Sequence, residues 1–405
     1  MSVPGRVVVI GAGVMGAWTA HWLQRRGADV LLLDLYGAGN SLASSGDESR
    51  VIRSAHGPDE FYARWVIAAW DEWRALERDA GIPLVHEIGT LWMAHDPQGF
   101  EAASMRVLDR LGVAYERLER DQIARRWPIL NADEIEFGMF EPRAGALMAR
   151  RAVAAAVDRF VANGGEFRIT RALPPRTDGA QGLAAIDLAD GSSERGDEFV
   201  FACGPWLPFV FPGLLSEVIR VTRQEVIYFA PPPGDARFLA GPMPVWVDYD
   251  AAFYGIPSIE ARGVKVAPDW LGPDVDPDRH ERRLSDERIE ASRRFLRGRF
   301  PLLADAPVIE GRICQYESTA DGHFLIVRHP ELSNAWILGG GSGHAYKHGP
   351  MIGEYVAALV CDDAARAGEL APPDDRFALR QREPKAVLRT SGRPPVETRP
   401  TAVVH

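Results

Sequence analysis

The sequence predicts a mixed α/β fold: a parallel sheet carrying a nucleotide site, interleaved with an antiparallel-sheet region that supplies a second binding surface. Three observations lead there. The apolar run Arg6-Val-Val-Val-Ile10 passes directly into Gly11-Ala-Gly13-Val-Met-Gly16 and a stretch of helical character. Two further apolar runs, Glu198-Phe-Val-Phe201 and Ala335-Trp-Ile-Leu338, come much later and each exits into small residues. Between and around them lie segments such as Val218–Phe229 and Arg262–Ala267 that suit antiparallel strands.

The first element is read as a buried parallel strand, because its apolar residues do not alternate. After the glycines, residues 17–26 read as a helix closed by Gly27, and Asp29-Val-Leu-Leu-Leu33 reads as the next strand, ending at Asp34. Strand, glycines, helix, strand and acid in this order form a dinucleotide-binding fingerprint of the Rossmann type. Gly11 permits the tight turn, Gly13 admits a pyrophosphate to the backbone, and Gly16 lets helix and strand pack closely. The helix amino terminus offers N–H groups to phosphate, and Asp34 is placed to accept from a ribose hydroxyl. The motif alone does not separate NAD from FAD.

Later features favour FAD. A small-residue loop containing Ser44 and Ser45 leads to two arginines three apart, Arg50 and Arg53. The strand at 198–201 leaves through Ala202-Cys-Gly204, and the strand at 335–338 runs into Gly339-Gly-Gly341-Ser-Gly343 before a helix expected to begin near His344. A second glycine-rich turn at a helix amino terminus suits close approach to a flavin ring.

The chain resembles the monomeric sarcosine oxidase family of FAD amine oxidases, which includes N-methyltryptophan oxidase. The resemblance rests on Gly46-Asp-Glu-Ser-Arg-Val-Ile-Arg53, Arg126-Trp-Pro128, Phe253-Tyr-Gly-Ile-Pro257, Cys314-Gln-Tyr316 and Gly341-Ser-Gly-His-Ala-Tyr-Lys347, and covers roughly residues 5 to 365. It implies FAD held covalently through Cys314, with Gly341 and Gly343 at the cofactor. Arg53 and Lys347 are implied to bind a substrate carboxylate and Arg50 to lie beside the flavin. Lys265 is implied to promote reaction of the reduced cofactor with oxygen. Tyr254 and Tyr316 are expected to line the substrate pocket, and His344 to stand at the flavin face with no proton transfer assigned. The implied reaction is hydride transfer from a secondary amino acid to flavin N5, giving an imine, with molecular oxygen reduced to hydrogen peroxide. The family's histidine four residues after the lysine is replaced here by Asp269. Beside Trp246 and Trp270, that acid suggests a pocket for a larger or more basic amine.

Composition agrees with a globular enzyme. Of 405 residues 46% are hydrophobic and 25% charged, enough for two packed domains. A net charge of −10 argues against a nucleic-acid partner. The sequence lacks an apolar run of about 18 residues, and the first residues pass straight into a strand pattern, so a cytoplasmic location without membrane association is expected. Cys203, Cys314 and Cys361 lack the spacing of a disulfide framework or metal site, and no metal is assigned. The chain has three lysines, Lys265, Lys347 and Lys385, against 43 arginines. Two of them fall in the motifs above, where a compact ammonium differs chemically from a planar guanidinium.

The expected layout is discontinuous. Residues 1–80, 145–220 and 310–370 form the FAD domain, and 81–144 and 221–309 the substrate domain. Helices are expected at Phe61–Asp79 and Leu284–Arg299, and at 372–405 a flexible tail, or a strap that orders only on packing, that carries Lys385. By resemblance the protein is a monomer. The alternatives are a flavin dehydrogenase or imine-forming biosynthetic enzyme with another acceptor, an NAD-dependent dehydrogenase, which Cys314 and the late glycine turn disfavour, and a non-catalytic flavin-bearing subunit.

Overall fold

In the computed structural model, which describes residues 2–176 and 181–383, the opening apolar run is the strand Arg6–Ile10, with Val7, Val8 and Val9 fully buried. It lies near the middle of a six-stranded sheet. The spatial order is 325–328, 335–339, 198–201, 6–10, 29–34 and 166–169. Every neighbouring pair is parallel except the hairpin of Leu325–Arg328 with Ala335–Gly339. Helices cover both faces of such a sheet, which explains why its strands are unbroken runs of Val, Leu and Phe. The helix Val14–Arg25 packs on one face with the helix Gly349–Val360.

A second, eight-stranded sheet has the order 308–318, 220–229, 264–268, 253–256, 245–248, 90–94, 137–141 and 116–118. It is antiparallel except where Val245–Asp248 runs parallel to Thr90–Ala94. Its long strand Val308–Ser318 pairs with Arg220–Phe229 in a register that sets Cys314 opposite Gln224 and Tyr316 opposite Thr222. The division expected at residue 310 therefore falls inside a strand of the second sheet. A small sheet of Ser49–Ile52, Gly145–Met148 and Val85–His86 carries Arg50.

The two helices foreseen from apolar spacing are Glu60–Ala80 and Asp286–Arg299. Asp59 caps the first by accepting from the Tyr62 N–H, and Gly81 ends it in the left-handed conformation. Ser285 caps the second by accepting from the Arg288 N–H.

One expectation is corrected and another is narrowed. The helix placed near His344 begins at Gly349, after a tight turn over Tyr346–His348. Of the two forms expected for the tail, the described part is a packed strap as far as Arg382: Phe377 is buried, its carbonyl accepts from the Ile326 N–H at 3.1 Å, and Arg382 is paired with buried Asp321 at 2.7 Å. Arg382 also donates to the carbonyls of His323 and Phe324, so the segment is tied by charge and backbone bonds that composition does not reveal. Lys385 and the rest of the tail lie outside the described residues. No described helix is long and apolar enough to cross a membrane.

Candidate cofactor and substrate cavities

A cavity of about 390 Å³ runs from the first glycine turn to Arg50 and Tyr316. Gly11, Gly13, Asp34, Ser44, Ser45, Gly341 and Gly343 all line it. The glycines divide by role. A Cβ on Gly16 would lie 1.8 Å from the Gly11 carbonyl oxygen, so Gly16 serves the strand–helix packing and stays off the wall. A Cβ on Gly13 would find only Ser45 Oγ, at 3.5 Å, and otherwise project into open space. That is the cradle an approaching pyrophosphate requires. Ser45 Oγ accepts from the Val14 N–H at 3.1 Å. Asp34 accepts from the N–H groups of Ala12, Tyr36 and Gly37, each at 2.8 Å. These bonds hold its carboxylate rigidly at the cavity edge. Volume, glycine cradle and fixed acid fit a dinucleotide cofactor.

Further along, Ser44 Oγ lies 2.8 Å from the Gln315 carbonyl and 3.0 Å from Glu317 Oε2. One hydroxyl proton cannot serve two acceptors. If it goes to the carbonyl, Glu317 must be the donor and therefore protonated. Burial, opposed by the Ser44 bond, pushes Glu317 up to about 7, which agrees with that count.

The arginine loop is organised by Asp47. Its carboxylate accepts from Lys265 Nζ at 2.6 Å, from the Arg50 guanidinium, and from Tyr228 Oη at 3.2 Å. Burial alone would raise Asp47, but Lys265 and Arg50 together hold it well below the ordinary range. Lys265 is itself buried, also donates to the Ser49 carbonyl at 2.7 Å, and is lowered by that burial to about 8 despite Asp47. Arg50 reaches onward, donating to the Ser44 carbonyl at 2.9 Å and to Cys314 Sγ at 3.1 Å. Burial raises the Cys314 thiol while Arg50 pulls the other way.

Where the first cavity reaches Arg50, a second of about 70 Å³ begins; Arg50, Tyr316, Gly343 and Tyr346 line both. Arg53, Tyr254, Asp269, His344 and Lys347 complete the sequence-predicted part of its wall. The Arg53 guanidinium donates to the Ala55 carbonyl, stands over the Trp92 ring at 5.1 Å, and is lowered by burial to about 10. Lys347 Nζ donates to the His344 carbonyl at 2.8 Å; burial, and then Arg53, depress its pKa well below the usual lysine value. His344 Nε2 lies 2.8 Å from the Gly322 carbonyl, and burial keeps the ring neutral. The Tyr316 hydroxyl donates to Asp269 Oδ1 at 3.4 Å.

Trp246 departs from the expectation. It is 1% exposed and stacks on Phe295 at 5.4 Å inside the second core, away from the cavity. Residues on a strand alternate faces, and Trp246 turns inward beside Gly255, where an added Cβ would lie 2.1 Å from its ring. Trp270 also faces elsewhere, against Phe253 and Arg288.

Four contributors were not singled out from sequence. Asp47 was quoted only inside its motif. Glu141 accepts from the Ser54 N–H and the Trp92 indole at 2.8 Å and stands as the buried counter-charge to Arg53. Glu317 and Trp92 complete the set. Only Asp47 and Glu317 had a local signal, as acids adjoining motif residues.

A glycine-turn nucleotide domain joined to a large antiparallel sheet, with a buried cationic pocket where they meet, defines the two-sheet flavoprotein oxidoreductases. The family model "DAO: FAD dependent oxidoreductase" matches residues 6–359, and the chain belongs to that family. It is 29% identical to "Monomeric sarcosine oxidase" of Streptomyces avermitilis over 94% of this chain and 98% of that one. It is 28% identical to "Peroxisomal sarcosine oxidase" of Homo sapiens over 87% and 91%, and 23% identical to "N-methyl-L-tryptophan oxidase" of Yersinia pestis over 88% and 95%. In structure it is similar to a thermally stable fructosyl peptide oxidase mutant, with TM-score 0.78, 21% identity and 95% of each chain covered. The fold is also shared with L-proline dehydrogenase from P. horikoshii, at TM-score 0.76 and 18% identity over 90% and 95%.

Proposed function

We propose that the chain is an FAD-dependent oxidase of a secondary amino acid, N-alkyl or cyclic, that delivers electrons to molecular oxygen and forms hydrogen peroxide. The observation that carries this reading is the meeting of Arg53 and Lys347 in one small cavity that opens onto the cofactor cavity at Arg50 and Tyr316. Two basic side chains, Arg53 and Lys347, buried in one small cavity suit a substrate that brings a carboxylate. Burial and Arg53 depress the pKa of Lys347, and an incoming carboxylate would favour its charged form. Asp269 and Tyr316 supply polar contacts suited to an amine. The names of the relatives, sarcosine and N-methyl-L-tryptophan oxidases, support the same substrate class, and "monomeric" supports a monomer.

When bound, FAD supplies the hydride acceptor and the route to oxygen. The chain's part is to bind, orient and set charge. Arg53 and Lys347 fix the carboxylate end, and Arg50 provides positive charge where the two cavities meet. Lys265 is the candidate for stabilising developing superoxide, its ammonium held by Asp47. Cys314 is the candidate thioether anchor, with its sulfur held against a permanent cation.

A cavity of about 70 Å³ favours a compact substrate, and Asp269 in its wall suits the more basic of the amines expected. The test is an anaerobic screen of N-methyl and cyclic amino acids for flavin bleaching, followed by a peroxide assay in air. Bleaching by amines that lack a carboxylate, at equal efficiency, would overturn the reading. Bleaching without peroxide favours the dehydrogenase alternative. Yellow colour retained in an acid-precipitated pellet establishes the covalent bond.

A further inference from the structure

We propose that His56, His344 and His348 form a binding site for a borderline divalent metal ion of the zinc class, adjoining the substrate cavity. One ring nitrogen from each lies within 4.8 Å of the others, and the three residues are 1%, 4% and 0% exposed. They come from the turn after the strand Ser49–Ile52 and from the turn before the helix Gly349–Val360.

Hydrogen bonding sets two of the tautomers. His56 Nδ1 lies 2.9 Å from the Ser54 carbonyl, and His344 Nε2 lies 2.8 Å from the Gly322 carbonyl. A carbonyl only accepts, so those nitrogens carry the protons, and His56 Nε2 and His344 Nδ1 present lone pairs. Neither lone pair has a hydrogen-bond partner, nor does either nitrogen of His348. Buried polar atoms are normally satisfied, so four orphan nitrogens in one spot point to a missing ligand. A ring N–H held by a backbone carbonyl, with the other nitrogen facing inward, is how metal-bound histidine is oriented.

Three imidazoles, with neither carboxylate nor thiolate among them, select zinc, nickel or copper over magnesium or calcium. Zinc–nitrogen bonds of about 2.0–2.1 Å place donors about 3.4 Å apart, so the rings must draw in on binding. No side-chain hydrogen bond of His348 has to break for its ring to move toward the other two. The rings of Tyr62, 5.2 Å from His348, and Phe324, 4.8 Å from His344, pack against the cluster, and a water would supply the fourth donor of a tetrahedral ion.

The nearest cations are Arg53 and Lys347. They weaken binding of the ion, but Arg53 is held by the Ala55 carbonyl beside Glu141, and Lys347 by the His344 carbonyl. The ion's field then adds to theirs over the cavity that His344 also lines. Metal and anionic ligand should each strengthen the other's binding, by the same factor.

The experiment uses the FAD-loaded full chain, stripped by a chelator and titrated with zinc alone. Expected are one retained equivalent after gel filtration, a tetrahedral visible spectrum with cobalt in its place, and binding weakened by at least about 10-fold in His348→Gln and His56→Gln. Tighter binding of a carboxylate inhibitor to zinc-loaded protein is the second expected readout. Zinc that is not retained, or is retained equally by both folded variants, overturns the proposal. So does a zinc-soaked crystal with no anomalous peak between the rings and only a water-sized feature. Should the variants fail to fold, the wild-type cobalt spectrum and anomalous peak decide.

Discussion

At the nucleotide end, the glycine cradle and its fixed acid come from one stretch, Gly11 to Asp34, and act through backbone N–H groups and the space left by absent side chains. At the substrate end, Arg53, Tyr254, Asp269, Tyr316 and Lys347 come from separate strands and turns, and each contributes a charged or phenolic side chain. Burial is easily met in the first region: Asp34 is satisfied by three neighbouring N–H groups. In the second it must be met across the chain, through Asp47 for Lys265 and Arg50, and through Glu141 beside Arg53. Contiguous sequence can specify a backbone cradle, whereas a buried charge network needs the tertiary fold to bring its partners.

The largest expected effect tests the cradle. Gly16→Val should abolish both folding and flavin retention, because the new side chain meets backbone at 1.8 Å. Gly13→Ala should leave the unfolding free energy nearly unchanged, within about 1 kcal/mol, yet lower the flavin-to-protein absorbance ratio. Full flavin occupancy in Gly13→Ala would break the division between packing and cradle glycines.

Next comes Arg53→Met. Removing one partner of a buried charge interaction should lower kcat/KM for a carboxylate-bearing substrate about 100-fold, near 3 kcal/mol. An amine without a carboxylate should be almost unaffected, and equal losses on both would show a merely structural arginine.

Lys265→Met should lower stability by about 3 kcal/mol, since it leaves Asp47 buried with Arg50 as its remaining full cation. Stopped-flow should show flavin reoxidation slowed far more than flavin reduction. Lys265→Arg should share that asymmetry, because a guanidinium is not a point charge. In the unmodified protein the ammonium is present below pH 8 and lost as pH rises through about 8, so reoxidation should fall across that range. A flat profile would place the oxygen chemistry elsewhere.

The smallest effect belongs to Glu317. Its folded value, about 7, lies above its ordinary 4.5, so the folded state binds the extra proton between them. Stability from this group is complete below pH 4.5 and is lost as pH rises through 7. Glu317→Gln should flatten that part of the stability profile, read as urea midpoints from pH 5 to 8. An unchanged slope would mean that Glu317 ionises freely.

Much of the frame was legible in residues. Strand 6–10, the helix that follows it, the strand ending at Asp34 and the late strand 335–339 are written in local period and glycine spacing. Arg53 and Lys347 were legible through motifs, and the structure brings both to one cavity. Trp246 was misread because a bulky residue on a strand gives no sign of which face meets the site. Segment 372–383 was left open between tail and strap because its low apolar content hid Phe377 and the Arg382–Asp321 pair.

The sequence by itself determined the nucleotide turn, the strand and helix order and the family, since these depend on short-range periodicity and on residues whose backbone role is intrinsic. Tertiary structure alone decided that Lys265 pairs with Asp47, that burial depresses the pKa of Lys347, and that His56 meets His344 and His348. The reason is physical: a side chain's charge and available lone pairs depend on solvent exclusion and on partners far along the chain.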